Sequence, residues 1–259
     1  MIHVVRSGRG PLLVCLHGIG GSAATFDHQL GGLADDFEVL AYDAPGYGNS
    51  ADPEHYPATR GYVDTVVEII GQSKNRRAYL LGMSWGGVVA INVALSHSHL
   101  LAGLILGDST RGSGQTPQQI AAMRARPREL ANVGATEFAR RRSERLLAPT
   151  ADQAARAEAS AAMAGSIRLP GYEYAARFMA ETDLTGKLLA IDLPTLVLYG
   201  TEDVVTGRAE SEAIAAEIPA ATLRPIPDAG HLANQEQPTA FNDAVREFIH
   251  RVEGKHDRI

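Results

Sequence analysis

Gly82-Met83-Ser84-Trp85-Gly86-Gly87 is the stretch on which the reading of this 259-residue chain turns. It follows a short apolar run, Ala78-Tyr-Leu-Leu81, predicted as a strand, and it opens a predicted helix. A serine on a sharp strand-to-helix turn takes strained backbone angles, so the residues two positions to either side must be small. Such a turn lifts the hydroxyl clear of the sheet edge. It also places it at a helix N-terminus, where developing negative charge is favoured. The G-x-S-x-G spacing therefore predicts that Ser84 is a nucleophile presented by an α/β sheet.

The surrounding sequence supplies such a sheet. Leu12-Leu-Val-Cys-Leu16, Phe37-Glu-Val-Leu-Ala-Tyr42 and Leu100-Leu-Ala-Gly-Leu-Ile-Leu106 are apolar runs that read as strands covered on both faces. Helical patterns lie between them, from about Ser22 to Ala34 and from about Thr59 to Gln72. In the second, Tyr62, Val66, Ile69 and Ile70 form a stripe that would face the sheet. Strand and helix alternate as in an open parallel sheet. The rhythm breaks after Asp108. Ala- and Arg-rich helical segments follow, at Gln118 to Arg126, Ala135 to Leu147 and Ala151 to Met163. Alternation resumes with strands at Pro194 to Tyr199 and Ala221 to Ile226 and helices at Gly207 to Glu217 and Thr239 to Val252. The polar tail, residues 253–259, is expected to fray.

A serine hydroxyl needs a base to attack a carbonyl. Of nine histidines, His231 lies in a loop after the last strand and before the last helix, on the same sheet edge as Ser84. His17, at the end of the first strong strand, is expected to shape a neighbouring loop. The base needs an orienting carboxylate. Asp203 follows a strand end, with Glu202 beside it as a rival. Asp108, also past a strand end, is the alternative acid. The glycine-rich His17-Gly-Ile-Gly-Gly21 allows main-chain N–H groups to approach a ligand oxygen, so the Ile19 and Trp85 N–H groups are the expected oxyanion donors.

His17-Gly-x-Gly-Gly, Asp43-Ala-Pro-Gly-Tyr-Gly-Asn-Ser50, Gly82-Met-Ser-Trp-Gly-Gly87, Gly200-Thr-Glu-Asp203 and Gly230-His231, in that order, resemble the α/β-hydrolase superfamily. The resemblance implies a mostly parallel central sheet flanked by helices, with a helical cap inserted after the sixth core strand. It puts the core at residues 1–111 and 187–259 and the cap at residues 112–186. It also implies the chain order nucleophile Ser84, acid Asp203, base His231, with no metal or organic cofactor, and it makes Asp43 to Ser50 a structural turn. Within the superfamily, Pro170-Gly-Tyr-Glu-Tyr-Ala-Ala176, Asp183-Leu-Thr-Gly186 and Pro194-Thr-Leu-Val-Leu-Tyr-Gly200 are similar to 3-oxoadipate enol-lactonases, which hydrolyse an enol-lactone in aromatic degradation. Trp85 stands where a smaller aliphatic residue is common in that group, which implies a reshaped pocket. The expected reaction is hydrolysis of a carboxylic ester or lactone. Two other readings use the same residues: carbon–carbon bond hydrolysis of a ring-cleavage product, and a non-catalytic ligand receptor.

Composition narrows the partners. The formal charge is −6, from 24 Lys plus Arg against 30 Asp plus Glu, which disfavours a phosphate-backbone partner. One cysteine, Cys15, forms no internal disulfide and no zinc finger. No apolar run reaches the roughly 18 to 20 residues that span a bilayer. The first ten residues lack a signal-peptide layout, so a cytoplasmic enzyme with a small-molecule substrate is expected. The charge is unevenly spread. Residues 110–190 hold twelve basic against eight acidic residues, a net +4 that leaves −10 on the remainder. Arginine suits bidentate recognition of carboxylates, so an anionic substrate is expected. Arg124 and Arg128, at i and i+4, are the expected contacts, while pairs such as Arg140 with Glu144 decorate solvated helix faces.

Overall fold

Leu12–Leu16, Ala78–Met83, Leu101–Gly107 and Thr195–Gly200 are strands buried along their whole length, which requires cover on both faces. The computed structural model describes residues 1–73 and 77–256. It places these four strands at the centre of a seven-stranded sheet. In chain order the strands are β1 (Val4–Ser7), β2 (Leu12–Leu16), β3 (Glu38–Tyr42), β4 (Ala78–Met83), β5 (Leu101–Gly107), β6 (Thr195–Gly200) and β7 (Ala221–Ile226), and across the sheet they run β1-β3-β2-β4-β5-β6-β7. Only β1 is antiparallel, pairing with β3, and every other neighbour is parallel. The chain order therefore reverses at β2 and β4. The carboxyl ends of those strands open the crevice where ligands bind in sheets of this kind.

Helices α2 (Ala58–Gly71), α3 (Trp85–His97) and α7 (Gly207–Glu217) pack on one face, while α1 (Asp27–Gly32) and the long C-terminal α9 (Pro238–His256) cover the other. The expected stripe of Tyr62, Val66, Ile69 and Ile70 is the buried side of α2. Each such side chain contributes about 1.5 to 3 kcal/mol on leaving water. Helix α3 is buried on nearly every side through Val88, Val89, Ala90, Ile91 and Val93, which holds its N-terminus rigidly against the sheet edge. The edge strand β7 is largely exposed and carries Pro225, which blocks further pairing.

Three helices, α4 (Pro117–Ser143), α5 (Gln153–Ser166) and α6 (Gly171–Glu181), lie between β5 and β6. The insertion thus follows the fifth strand in chain order, not the sixth, because only the single antiparallel β1 precedes β2. Its first two expected helices are one segment that continues through Pro127 and bends at Gly134, where φ is 78° and ψ is 164°. Glycine takes that angle without steric penalty. Helix α6 and strand β1 stand where no element was expected. The tail continues α9 to His256, and residues 257–259 lie outside the described residues. Among the described residues no helix is long and apolar enough to cross a membrane.

Candidate active site

Ser84 sits between β4 and α3 at φ 50° and ψ −113°, the strained turn that its motif predicts. Close packing explains the flanking glycines. A Cβ on Gly82 would lie 2.5 Å from the Gly86 carbonyl oxygen, and one on Gly86 would lie 2.0 Å from that of Leu16. The turn is fastened to the neighbouring strand by the Ser84 N–H, which donates to the Gly107 carbonyl at 2.8 Å.

His231 stands in the loop between β7 and the short α8 (Ala233–Glu236). Its Nε2 is 2.9 Å from Ser84 Oγ and its Nδ1 is 3.0 Å from Asp203 Oδ2. The three groups form one chain in which the serine hydroxyl donates to Nε2 and Nδ1–H donates to the carboxylate. Asp203 is held on both oxygens. Oδ1 accepts from Val205 N–H at 2.7 Å, and Oδ2 accepts from the Thr206 hydroxyl at 2.6 Å and from Gly207 N–H at 3.0 Å. Burial alone would raise the Asp203 pKa. The hydrogen bonds from His231, Thr206 and Gly207, with the imidazole charge, override burial and hold the carboxyl well below the usual range. Burial likewise opposes charging of His231, yet the hydrogen bond to Asp203 and its negative charge raise the imidazole above its ordinary value of 6.5.

Asp108, the alternative acid, turns its carboxyl elsewhere. Oδ1 accepts from Gly200 N–H at 2.8 Å and Oδ2 from Ala233 N–H at 3.3 Å, so it bridges the segments that carry Asp203 and His231 without a hydrogen bond to the imidazole. Burial pushes its pKa up to about 8. Glu202 is exposed. His17 is buried and neutral. Nδ1–H donates to the Gly18 carbonyl at 2.7 Å and Nε2 accepts from Ala44 N–H at 3.0 Å, while burial lowers its pKa to about 4. It braces the loop that carries Ile19, as expected. The Asp43 turn is internally tied, with Asp43 accepting from the N–H groups of Ala23 and Asn49.

Ile19 and Trp85 join Ser84 and His231 in lining a cavity of about 680 Å³. The Ile19 N–H donates to no carbonyl among the described residues. Trp85 is the first residue of α3, whose leading N–H groups have no acceptor within the helix. The Trp85 indole is buried against Tyr47, Tyr62 and Phe178, so its bulk is taken up by the core.

The expected substrate arginines are displaced. Arg124 and Arg128 are both exposed and neither lines the cavity, whereas Arg126, between them, does. A helix turns about 100° per residue, so residues two apart point to nearly opposite sides. The i, i+4 pair shares a face, and that face looks outward. Three other residues had not been expected. Tyr172 lines the cavity from α6. Thr206 clamps Asp203, a role signalled by an Asp followed three residues later by Thr just before a helix. Glu236 accepts from Gly230 N–H and Ala148 N–H, tying the His231 loop to the insertion.

Comparison with known proteins agrees with this architecture. The family described as "Alpha/beta hydrolase family" matches residues 13–244. The 3-oxoadipate enol-lactonase 2 of Acinetobacter baylyi is 25% identical over 243 residues, covering 93% of this chain and 89% of that protein. A hydrolase from Pseudomonas aeruginosa PA01 superposes with a TM-score of 0.86 at 30% identity, covering 96% of this chain and 94% of the other. A thermophilic esterase from Thermogutta terrifontis, solved with malate bound, superposes with a TM-score of 0.88 at 29% identity, covering 97% and 93%. A family match that spans most of the chain, on a sheet of the corresponding topology, establishes that this protein belongs to the alpha/beta hydrolase family.

Proposed function

We propose that the protein is a cytoplasmic serine hydrolase that cleaves a carboxylic ester or lactone. The observation that carries this reading is the chain from Ser84 through His231 to Asp203, with contacts of 2.9 and 3.0 Å, at the wall of a cavity beneath α4 to α6. Ser84 Oγ attacks the carbonyl carbon as His231 Nε2 takes its proton. The Ile19 and Trp85 N–H groups hold the oxyanion, and Asp203 keeps Nδ1 protonated and stabilises the imidazolium. Collapse of the intermediate breaks the acyl–oxygen bond, and the leaving oxygen takes the proton from Nε2. In a lactone that oxygen stays on the acyl chain. Water then repeats the sequence, frees the acid and restores Ser84. Residues 112–186 act as the cap that roofs the cavity and selects substrate, over a core made of residues 1–111 and 187–259. The positive charge of the insertion and the malate held by the related esterase support an anionic substrate.

A substrate panel tests the reaction class. Esters and lactones should be turned over, and wild-type protein should react with a fluorophosphonate at Ser84. Turnover of vinylogous diketo acids with none of esters or lactones would replace this reading by carbon–carbon bond hydrolysis. Ligand binding without turnover of any of them would favour a receptor.

The pH profile carries a signed expectation. His231 serves as base only when neutral, and its pKa is raised above 6.5. The imidazolium therefore persists to higher pH than in a free histidine. kcat/KM should fall as pH decreases through an inflection above about 6.5. An acid limb below about pH 6.5 would contradict the coupling of His231 to Asp203.

A further inference from the structure

The cavity is roomier and more unevenly lined than a small ester requires. Its volume of about 680 Å³ is in the range that holds drug-sized ligands. Met123, Met163 and Met179, from three different inserted helices, contribute flexible apolar surface. Charged groups also line the wall, and four of them are already committed to ion pairs. Arg141 pairs with Glu137 at 2.7 Å, Arg142 with Glu129 at 3.0 Å, and Glu210 with Arg111 at 2.9 Å. Arg145, Glu158 and Asp27 are exposed.

Arg126 differs from all of these. It is half-buried, and among the described residues no carboxylate lies within ion-pairing distance of it. The groups that act on it most strongly are the Tyr172 hydroxyl and two like charges, Arg142 and Arg145. Tyr172 is itself buried and packs edge-on against Phe138, so the phenol is a fixed partner. Burial first, and then the neighbouring arginines, lower the guanidinium pKa. A desolvated cation without a counter-ion is costly, and a planar carboxylate held by two parallel N–H bonds is the group that best relieves that cost. Arg126 also lies near enough to His231 to oppose its protonation. A carboxylate on Arg126 would cancel that opposition as the imidazolium forms.

We propose that the cavity takes a mid-sized ester or lactone whose apolar body rests on the methionines and whose free carboxylate pairs with Arg126, making Arg126 a specificity-determining residue. The inference rests on the serine-hydrolase reading above.

The test uses two esters of equal chain length, mono-p-nitrophenyl suberate and p-nitrophenyl octanoate, which differ in the terminal carboxylate. Wild-type protein should prefer the suberate ester by about tenfold or more in kcat/KM, on the scale of hydrogen bonds to a charged group. Arg126→Gln should lose about tenfold to a hundredfold on the suberate ester, mainly through KM, and stay within about threefold on the octanoate ester. Arg126→Lys should recover part of the loss. Equal turnover of the two esters by wild-type protein would overturn the proposal without reference to any variant, and so would equal losses on both in Arg126→Gln. Hydrolysis of neither ester by protein whose Ser84 still reacts with a fluorophosphonate would overturn the substrate class alone. A Ser84 that does not react would remove the serine-hydrolase reading and this inference with it.

Discussion

Ser84→Ala should lower kcat by about 10⁶-fold, the scale on which loss of the nucleophile acts in a serine-protease triad. It should also abolish fluorophosphonate labelling. The change removes one oxygen, Oγ, from the 2.9 Å contact with His231 Nε2. It leaves the backbone demand unaltered, because alanine and serine carry the same Cβ and meet the same penalty at φ 50°. The Ser84 N–H bond to Gly107 and the packing of Gly82 and Gly86 also remain. The melting temperature should therefore move by no more than a few degrees, which separates lost chemistry from lost fold. Residual turnover would come from the proposed oxyanion donors, the Ile19 and Trp85 N–H groups, and from substrate binding. Mass spectrometry of the treated protein reads the adduct site directly, and an adduct on the variant would end the assignment of Ser84 as nucleophile.

Asp203→Asn should lower turnover about 10⁴-fold, because an amide facing Nδ1 favours the wrong imidazole tautomer. Asparagine retains one oxygen for the N–H groups of Val205 or Gly207 but presents N–H₂ on the other side. The imidazole then turns its lone pair on Nδ1 to that amide, carries its proton on Nε2, and no longer accepts from Ser84. The acid limb of the pH profile should also move downward, since the charge that raises His231 is gone. Asp108→Asn provides the comparison. Its oxygens accept from Gly200 and Ala233, not from the imidazole, so turnover should stay within about tenfold of wild type. A larger loss at position 108 than at 203 would transfer the role of acid to Asp108.

The strands and the serine turn were legible because their constraints are local. A buried parallel strand needs a continuous apolar run, and Leu12–Leu16 and Ala78–Met83 carry one. The serine turn needs small residues within two positions, and a Cβ at Gly82 or Gly86 would collide with neighbouring backbone. The inserted helices were less legible. Pro127 and Gly134 both read as interruptions, yet only Gly134 bends α4, because the packed helix tolerates one missing N–H but follows a positive φ. Strand β1 escaped notice because half-exposed edge residues lack a strong apolar signature.

By itself the sequence determined a parallel α/β sheet with a helical insertion and a serine turn at the end of the strand that starts at Ala78, since each follows from spacing within a few residues. Only the tertiary structure decided which carboxyl meets His231 and which arginine meets the cavity. Asp108 and Asp203 both follow strand ends, and Arg124, Arg126 and Arg128 share one helix. The choice among them depends on side-chain direction against partners distant in sequence: Gly200 and Ala233 take the Asp108 carboxyl, and the packing of α4 over the core turns Arg126 inward.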